Sequence, residues 1–496
     1  MLRKNLIANY LGQGWTALMG LAFIPLYIKY LGIEAWGLVA FMSTLQAWLL
    51  LLDAGLTPAV SREMARFTGG QHSAQSIRDL LRTVEVFYAT IAALVAGAFT
   101  LASPWMASHW LTAKHLPVAD TTWALVAMGV VLAGRLVEQG YRGVLRGLHH
   151  QVWLNGADAL LATFRWAGAA GVVVTQPSLG AFFLWQALAS FFSLIVLARE
   201  AHRVLPPAPV AARFDLQCLW QLRRFAGGMA MVTLLALGLT QIDKLLLSTL
   251  LPLDEYGVYM LSATLAGGLS FLVMPATLAV GPRLAQLVAQ GDEAGVANLF
   301  HKASQWVAAI IVPVALTMML FSRDVLWVWT GDPVLADRAA PLLRLLALGT
   351  LLNAFMHIPY QTQLAYGWTG LAVRANAIAV AVLLPAIAIS VPEHGAIAAA
   401  WIWCLLNAGY VVLVPHFMHD RLLKGEKWQW YWHIVLKPAA ISTFVLLSLR
   451  PLFPSVEGGR LTVAIFLTLA ATLGVLTALG GARVTRLWFF GHPLRR

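Results

Sequence analysis

The residues best placed to do chemistry in this chain are a few charges set inside long apolar runs. Arg165, in Thr163-Phe164-Arg165-Trp166, sits mid-run, too deep to reach either edge easily. Asp243 and Lys244 are adjacent in Thr240-Gln241-Ile242-Asp243-Lys244, and Arg135 and Glu138 lie one helical turn apart in a third run. A charge held at mid-bilayer costs about 2.5 to 3.5 kcal/mol on insertion scales, so such a group faces a wet cavity or an opposite charge. These residues therefore offer recognition of charge rather than bond making. Arg165 either holds an anionic substrate group or pairs structurally with Asp158. Adjacent helical residues point about 100° apart, so one of Lys244 and Asp243 faces a lumen while the other pairs between helices.

Three further sets belong with these. Asp53, in Leu52-Asp53-Ala54-Gly55-Leu56-Thr57-Pro58, is either a protonatable coupling group or a partner for a cation such as Arg135. Burial raises a carboxyl pKa, which is what a coupling role would use. Arg62, Arg142 and Arg146 fall at the cytoplasmic ends of their runs, where they set topology or capture phosphate at a cavity mouth. Asn9, Gln13, Thr16 and Gly20 recur at helical spacing and form a small, polar stripe on the first run, with Pro25 expected to kink it. The stripe lines a lumen or packs closely against another helix.

The elements that position these groups are membrane helices. The 496 residues are 59% hydrophobic and 11% charged, more apolar surface than one aqueous core can hide. Apolar stretches predict about fourteen spans, near 6–29, 37–60, 83–104, 121–141, 153–175, 178–198, 225–251, 257–280, 304–322, 341–366, 370–391, 395–416, 434–452 and 462–481. Unbroken runs such as Leu45 to Leu52 argue against a β-barrel, whose strands alternate. The first run is too long for a cleavable signal and reads as a span. With both termini in the cytoplasm, most of the 34 Lys and Arg fall on the cytoplasmic side, as the positive-inside rule requires. Charge at membrane edges also explains the basic pI of about 10.0 without any nucleic-acid partner.

A repeat organises the spans. Glu34-Ala35-Trp36-Gly37-Leu38 returns as Asp254-Glu255-Tyr256-Gly257-Val258, and the match continues through Thr57 and Thr277 to Arg62 and Arg283. The expected architecture is all-α: an N-lobe over 1–198, a proline-rich cytoplasmic linker over 199–224 and a C-lobe over 225–416. The last two spans and the tail, 417–496, form an appendage. Six spans separate the copies, so both lobes enter the membrane in the same sense. Paired lobes of this kind enclose a central cavity and rock, which points to a transporter; a purely architectural duplication is the alternative.

Other classes find little support. No G-x-x-x-x-G-K-[ST], H-E-x-x-H or G-x-S-x-G motif occurs. Cys218 and Cys404 lie far apart in the predicted topology and have no partners for a metal or disulfide framework, so neither a metal nor a cofactor is expected. The inter-span segments are too short for a folded catalytic domain, and the chain reads as a non-enzyme.

The segment from Asn9 through Pro25-Leu26-Tyr27-Ile28-Lys29-Tyr30-Leu31-Gly32-Ile33-Glu34-Ala35-Trp36-Gly37, with Leu52-Asp53-Ala54-Gly55-Leu56 and Ser61-Arg62-Glu63, resembles the polysaccharide transporter family. These are bacterial lipid-linked oligosaccharide flippases of the MATE-like superfamily. Tyr141-Arg142-Gly143-Val144-Leu145-Arg146-Gly147-Leu148 and Gln241-Ile242-Asp243-Lys244-Leu245-Leu246 extend the resemblance, which covers about residues 1–415. It implies two six-helix lobes, a cationic cavity open alternately to each side, and translocation of an undecaprenyl-diphosphate-linked glycan across the inner membrane for O-antigen, capsule or exopolysaccharide assembly. The substrate is then the lipid-linked oligosaccharide, with membrane lipids around it. Proton or sodium coupling and a glycan polymerase or export machinery are open as partners. Fourteen spans also keep a peptidoglycan precursor open as substrate. The alternatives are a cation-coupled drug exporter and a membrane enzyme of glycan assembly.

Overall fold

The computed structural model describes residues 2–53, 55–454 and 459–481, without the side chains of 2–11 and of several residues between 219 and 236. Among the described residues thirteen helices are long and apolar enough to cross a membrane. The chain forms two compact units, Met1–Gly257 and Val258–Arg496.

The first unit contains α1 (Leu2–Ala22), α2 (Ile24–Leu31), α3 (Ile33–Leu52), α4 (Leu56–Thr68) and α5 (Ala74–Trp105). It continues with α6 (Val118–Gly147), α7 (Gln151–Thr175), α8 (Leu179–Val204), α9 (Leu216–Thr240), α10 (Ile242–Leu250) and the start of α11 (Leu253–Gly267). The first expected span is broken at Phe23, and Pro25 occupies the first turn of α2. That position suits proline, whose missing N–H has no partner there in any case. The second breaks after Asp53, and α4 begins behind Gly55 at φ 70°.

The seventh expected span is divided between α9 and α10 at Gln241. Segment 199–224 lies inside the first unit, where α5 holds it along one face. The Arg78 guanidinium donates to the carbonyls of Pro206 and Leu205 at 2.6 and 2.8 Å. The amides of Arg213 and Asp215 donate to Asp79 and Thr83. Gln75, Arg78, Asp79 and Thr83 share a face of α5 by the i, i+3/i+4 rule, so an extended strap can satisfy its backbone against one helix.

The second unit holds the rest of α11, then α12 (Ser270–Ala289), α13 (Glu293–Leu320), α14 (Ser322–Thr330), α15 (Pro333–Phe355) and α16 (His357–Ala365). It ends with α17 (Gly370–His394), α18 (Ala396–Arg421), α19 (Lys427–Trp430), α20 (Lys437–Leu449) and α21 (Gly459–Gly481). The order repeats that of the first unit: a helix broken near its middle (α11 and α12), a long helix, then further paired spans. The last two spans are packed elements of this unit. α20 and α21 lie on each other and on α13, with Gly474 against Pro313. Phe321 caps that contact with Val463 and Leu467.

Inside the first unit, α4, α5, α6 and α8 share one apolar core that includes Val60, Met64, Leu80, Val84, Leu136, Leu145 and Leu197. Where lipid tails compete as apolar solvent, helices associate through close packing and small residues. α6 accordingly presents Gly143 and Gly147 to the backbone of α4, with no room for a side chain beside Thr57 and Ser61. The repeat motif makes a second close approach. A Cβ at Gly37 would fall 2.6 Å from the Leu253 carbonyl oxygen, and one at Gly257 would fall 2.5 Å from that of Ile33. The two copies of the motif thus meet through their glycines, while Tyr256 is fully buried and its hydroxyl lies 3.2 Å from Thr44.

Gly257→Val is expected to lower thermal stability in detergent by the equivalent of about 1–3 kcal/mol, with reduced membrane abundance. Gly171→Val, which has open space around it, should leave both near wild type.

Candidate functional site

The charged centre of the first unit is built on α6. Arg135, Glu138 and Arg142 recur at spacings of three and four and so share a face, while Gly143 and Gly147 pack against α4 on another. α7 contributes Asp158 and Arg165 two turns apart, and α8 contributes Ser193. Glu138, 1% exposed, is the shared partner: Arg135 lies 3.6 Å from it, Arg142 3.4 Å and Arg165 3.7 Å. Arg142 also binds Asp158 at 2.5 Å, and Arg165 donates to the Ser193 hydroxyl at 3.4 Å.

Arg165 is therefore ion-paired, with Glu138 as the carboxylate. The expected partner, Asp158, is taken instead by Arg142 of α6. Arg142 is 13% exposed and belongs to the buried cluster rather than to a solvent-facing boundary. Three guanidinium groups meet two carboxylates here, leaving one positive charge over. Two donors, Arg165 Nη1 and Arg135 Nε, and one acceptor, Glu138 Oε1, are buried without a hydrogen-bond partner among the described residues. A donor shut away without an acceptor costs roughly 1–3 kcal/mol, and a fixed excess of positive charge in low dielectric is an anion site in waiting.

The remaining candidates fall elsewhere. Asp53, 5% exposed, accepts from the Thr57 amide and hydroxyl and from the Tyr88 hydroxyl. Its partners are hydroxyls rather than Arg135, because the turn after Asp53 folds Thr57 back over it and α5 brings Tyr88 from the other side. Lys244 does not point away from Asp243. Its Nζ lies 3.4 Å from the Asp243 carboxylate and 2.5 Å from the Thr240 carbonyl. The break at Gln241 explains this, since the pair stands in the first turn of α10, next to carbonyls that the end of α9 leaves unpaired.

Arg62 is half exposed and 3.8 Å from Glu63. Glu63 also holds Arg66 and His72. Arg146 is exposed on α6 and Gln13 on α1, while Asn9 lies outside the residues whose side chains are described. Among the described residues no three His, Cys, Asp or Glu are placed to hold a metal ion, and Cys218 and Cys404 are free thiols.

The reading of the sequence did not include Ser193, Tyr88 or the hub at Glu63. The spacing of Glu138 and Arg142 carried a signal for their pairing. Tyr88 had none, because an aromatic residue in an apolar run looks like any other.

A model described as polysaccharide biosynthesis protein matches residues 2–288, and one described as MatE matches residues 229–389. A Shigella flexneri protein named "Putative O-antigen transporter" is 20% identical over 404 residues, covering 81% of this chain and 94% of that protein. Among solved structures, "Lipid II flippase MurJ, inward closed conformation" superposes with a TM-score of 0.73 at 10% identity, covering 98% of this chain and 99% of that one. An inward-facing multidrug resistance MATE family transporter of the MOP superfamily superposes at 0.65 and 13% identity, covering 82% and 95%.

Replacing Glu138 by methionine should cost the equivalent of about 3–5 kcal/mol, the usual effect of stripping a buried ion cluster of its shared partner. It would be read as a lower apparent melting temperature. Glu138→Met combined with Arg165→Met should recover a large part of that loss, whereas a double variant no better than the single one would contradict the shared-carboxylate arrangement.

Proposed function

Because the chain belongs to the polysaccharide biosynthesis protein family, whose model matches residues 2–288, we propose that it is a flippase for a lipid-linked oligosaccharide. In this reading it carries an undecaprenyl-diphosphate-linked glycan across the bacterial inner membrane by alternating access, for O-antigen, capsule or exopolysaccharide export. Both termini are cytoplasmic. The observation that carries the reading is the α6–α7 cluster: one buried and two partly buried arginines, one uncompensated positive charge and two unused donors. A diphosphate supplies further acceptor oxygens and the negative charge that this cluster is short of, and bidentate geometry suits guanidinium to phosphate. Names borne by similar proteins, an O-antigen transporter and a lipid II flippase, agree with such a cargo.

Arg165, Arg135 and Arg142 are then the substrate-binding groups. Lys244 with Asp243, and Asn9 with Gln13, are further contacts, and Arg62 and Arg146 form the cytoplasmic approach. Asp53 is the coupling group: its carboxylate is held by three donors, and protonation would release the Thr57 and Tyr88 hydroxyls that tie α4 and α5 to it. The ion is a proton or sodium. A cargo of cationic drugs fits the site less well, since the α6–α7 cluster already carries excess positive charge. Nothing in this reading calls for bond making, and glycan polymerisation or further export falls to partner proteins.

Two measurements test it. In cells lacking the protein, the lipid-linked glycan should accumulate on the cytoplasmic leaflet; accumulation on the outer leaflet would point to a polymerase or ligase instead. Arg165→Gln and Arg135→Gln should lower export by roughly tenfold to a hundredfold at normal membrane abundance, the loss expected for charge-assisted hydrogen bonds of about 1.5–3 kcal/mol. Wild-type export in both variants would remove the cluster from the substrate path.

A further inference from the structure

The second unit contains a furrow that the translocation reading does not use. It runs between α17 and α18, encloses about 600 Å³, and is floored by small residues, Ala375, Ala379 and Gly409. Its walls are apolar, with Ile378, Val382, Leu405, Leu413 and Phe417 all more than half exposed. At one end stand two arginines. Arg374 and Arg421 both line the furrow, and both are exposed. Arg374 donates only to the carbonyl of Gly370 in its own helix, and Arg421 lies over the Trp368 ring, 4.8 Å from its centroid. Among the described residues neither has a carboxylate within ion-pair distance, unlike Arg135, Arg142 and Arg165.

We propose that this furrow binds an anionic glycerophospholipid, its phosphate on Arg374 and Arg421 and one acyl chain laid along the groove. The spacing supports the fit. Arg421, Phe417, Leu413, Gly409 and Leu405 follow one another at four-residue steps on α18, as Arg374, Ile378 and Val382 do on α17, so each arginine heads an apolar stripe. At about 1.5 Å per residue the stripes run roughly 24 and 12 Å from the charge, against a half-bilayer of about 15 Å. The stretch walled by both stripes, about 12 Å, lies within one leaflet, as an acyl chain does, and is short for a polyprenyl tail. Basic pockets between transmembrane helices at a membrane edge are recognised sites for anionic head groups. The proposal does not depend on the cargo assigned to the first unit.

The full-length protein, reconstituted in bilayers of equal parts phosphatidylglycerol and phosphatidylcholine, should retain phosphatidylglycerol several-fold over phosphatidylcholine when released and weighed by native mass spectrometry. R374Q combined with R421Q should erase the preference. Gly409→Leu, which has open space for its side chain and leaves the charges alone, should fill the floor and reduce retention of both lipids. Equal retention of the two lipids by the wild type overturns the proposal, as does a preference that survives both variants. Displacement of phosphatidylglycerol by an equal concentration of polyprenyl phosphate would likewise overturn it, because the furrow would then belong to the cargo's carrier lipid.

Discussion

A single carboxylate holds together the charged interior of the first unit. Glu138, almost wholly buried, faces Arg135 and Arg142 on its own helix and Arg165 on the next. In a medium where an isolated ion pays several kcal/mol for leaving water, three guanidinium groups can share that space only because this carboxylate and Asp158 lie among them. The compensation is incomplete: one positive charge is in excess and two donors are unspent, and the proposed binding of an anionic cargo rests on that excess.

Among its described residues the second unit has no buried Asp, Glu, Lys or Arg. Its α15 and α18 are joined by an amide pair, Asn353 donating to Asn407 at 2.9 Å. Where the first unit folds the Thr57 hydroxyl onto the Asp53 carboxylate, the matching Thr277 donates to the backbone carbonyl of Val273. The duplication therefore preserved helices, breaks and glycine contacts while concentrating buried charge in one copy. Asymmetry of this kind separates the helical scaffold, which repeats, from the buried charge, which does not.

The break points of the helices connect local chemistry to mobility. Phe23, Asp53, Gln241 and Gly268 each interrupt a membrane helix, and two of these interruptions, at Asp53 and Gln241, lie beside a candidate functional group. Free carbonyls and amides at such ends need partners. Lys244 takes the Thr240 carbonyl, and Asp53 takes the Thr57 amide. A charge at a broken helix thus serves as a cap for the backbone groups that the break exposes.

Composition and run length alone determined that the chain is an all-α membrane protein, and the recurrence of Glu34-Ala35-Trp36-Gly37 as Asp254-Glu255-Tyr256-Gly257 revealed the duplicated order of its helices. Both are local properties: a span needs enough consecutive apolar residues, and a repeat needs only its own residues. The kink near Pro25 was legible for the same reason. Tertiary structure decided the partners. The sequence pointed Arg165 to Asp158, and only the packing of α6 on α7 gave it Glu138 instead and Asp158 to Arg142. Asp53 found Tyr88 thirty-five residues away, and Lys244 turned to its neighbour because its helix breaks at Gln241. Segment 199–224 read as a linker between lobes, yet α5 holds it within the first unit through side chains far off in sequence. Charge pairing depends on distances between helices, and a linear pattern fixes which face a residue occupies but not which helix lies opposite.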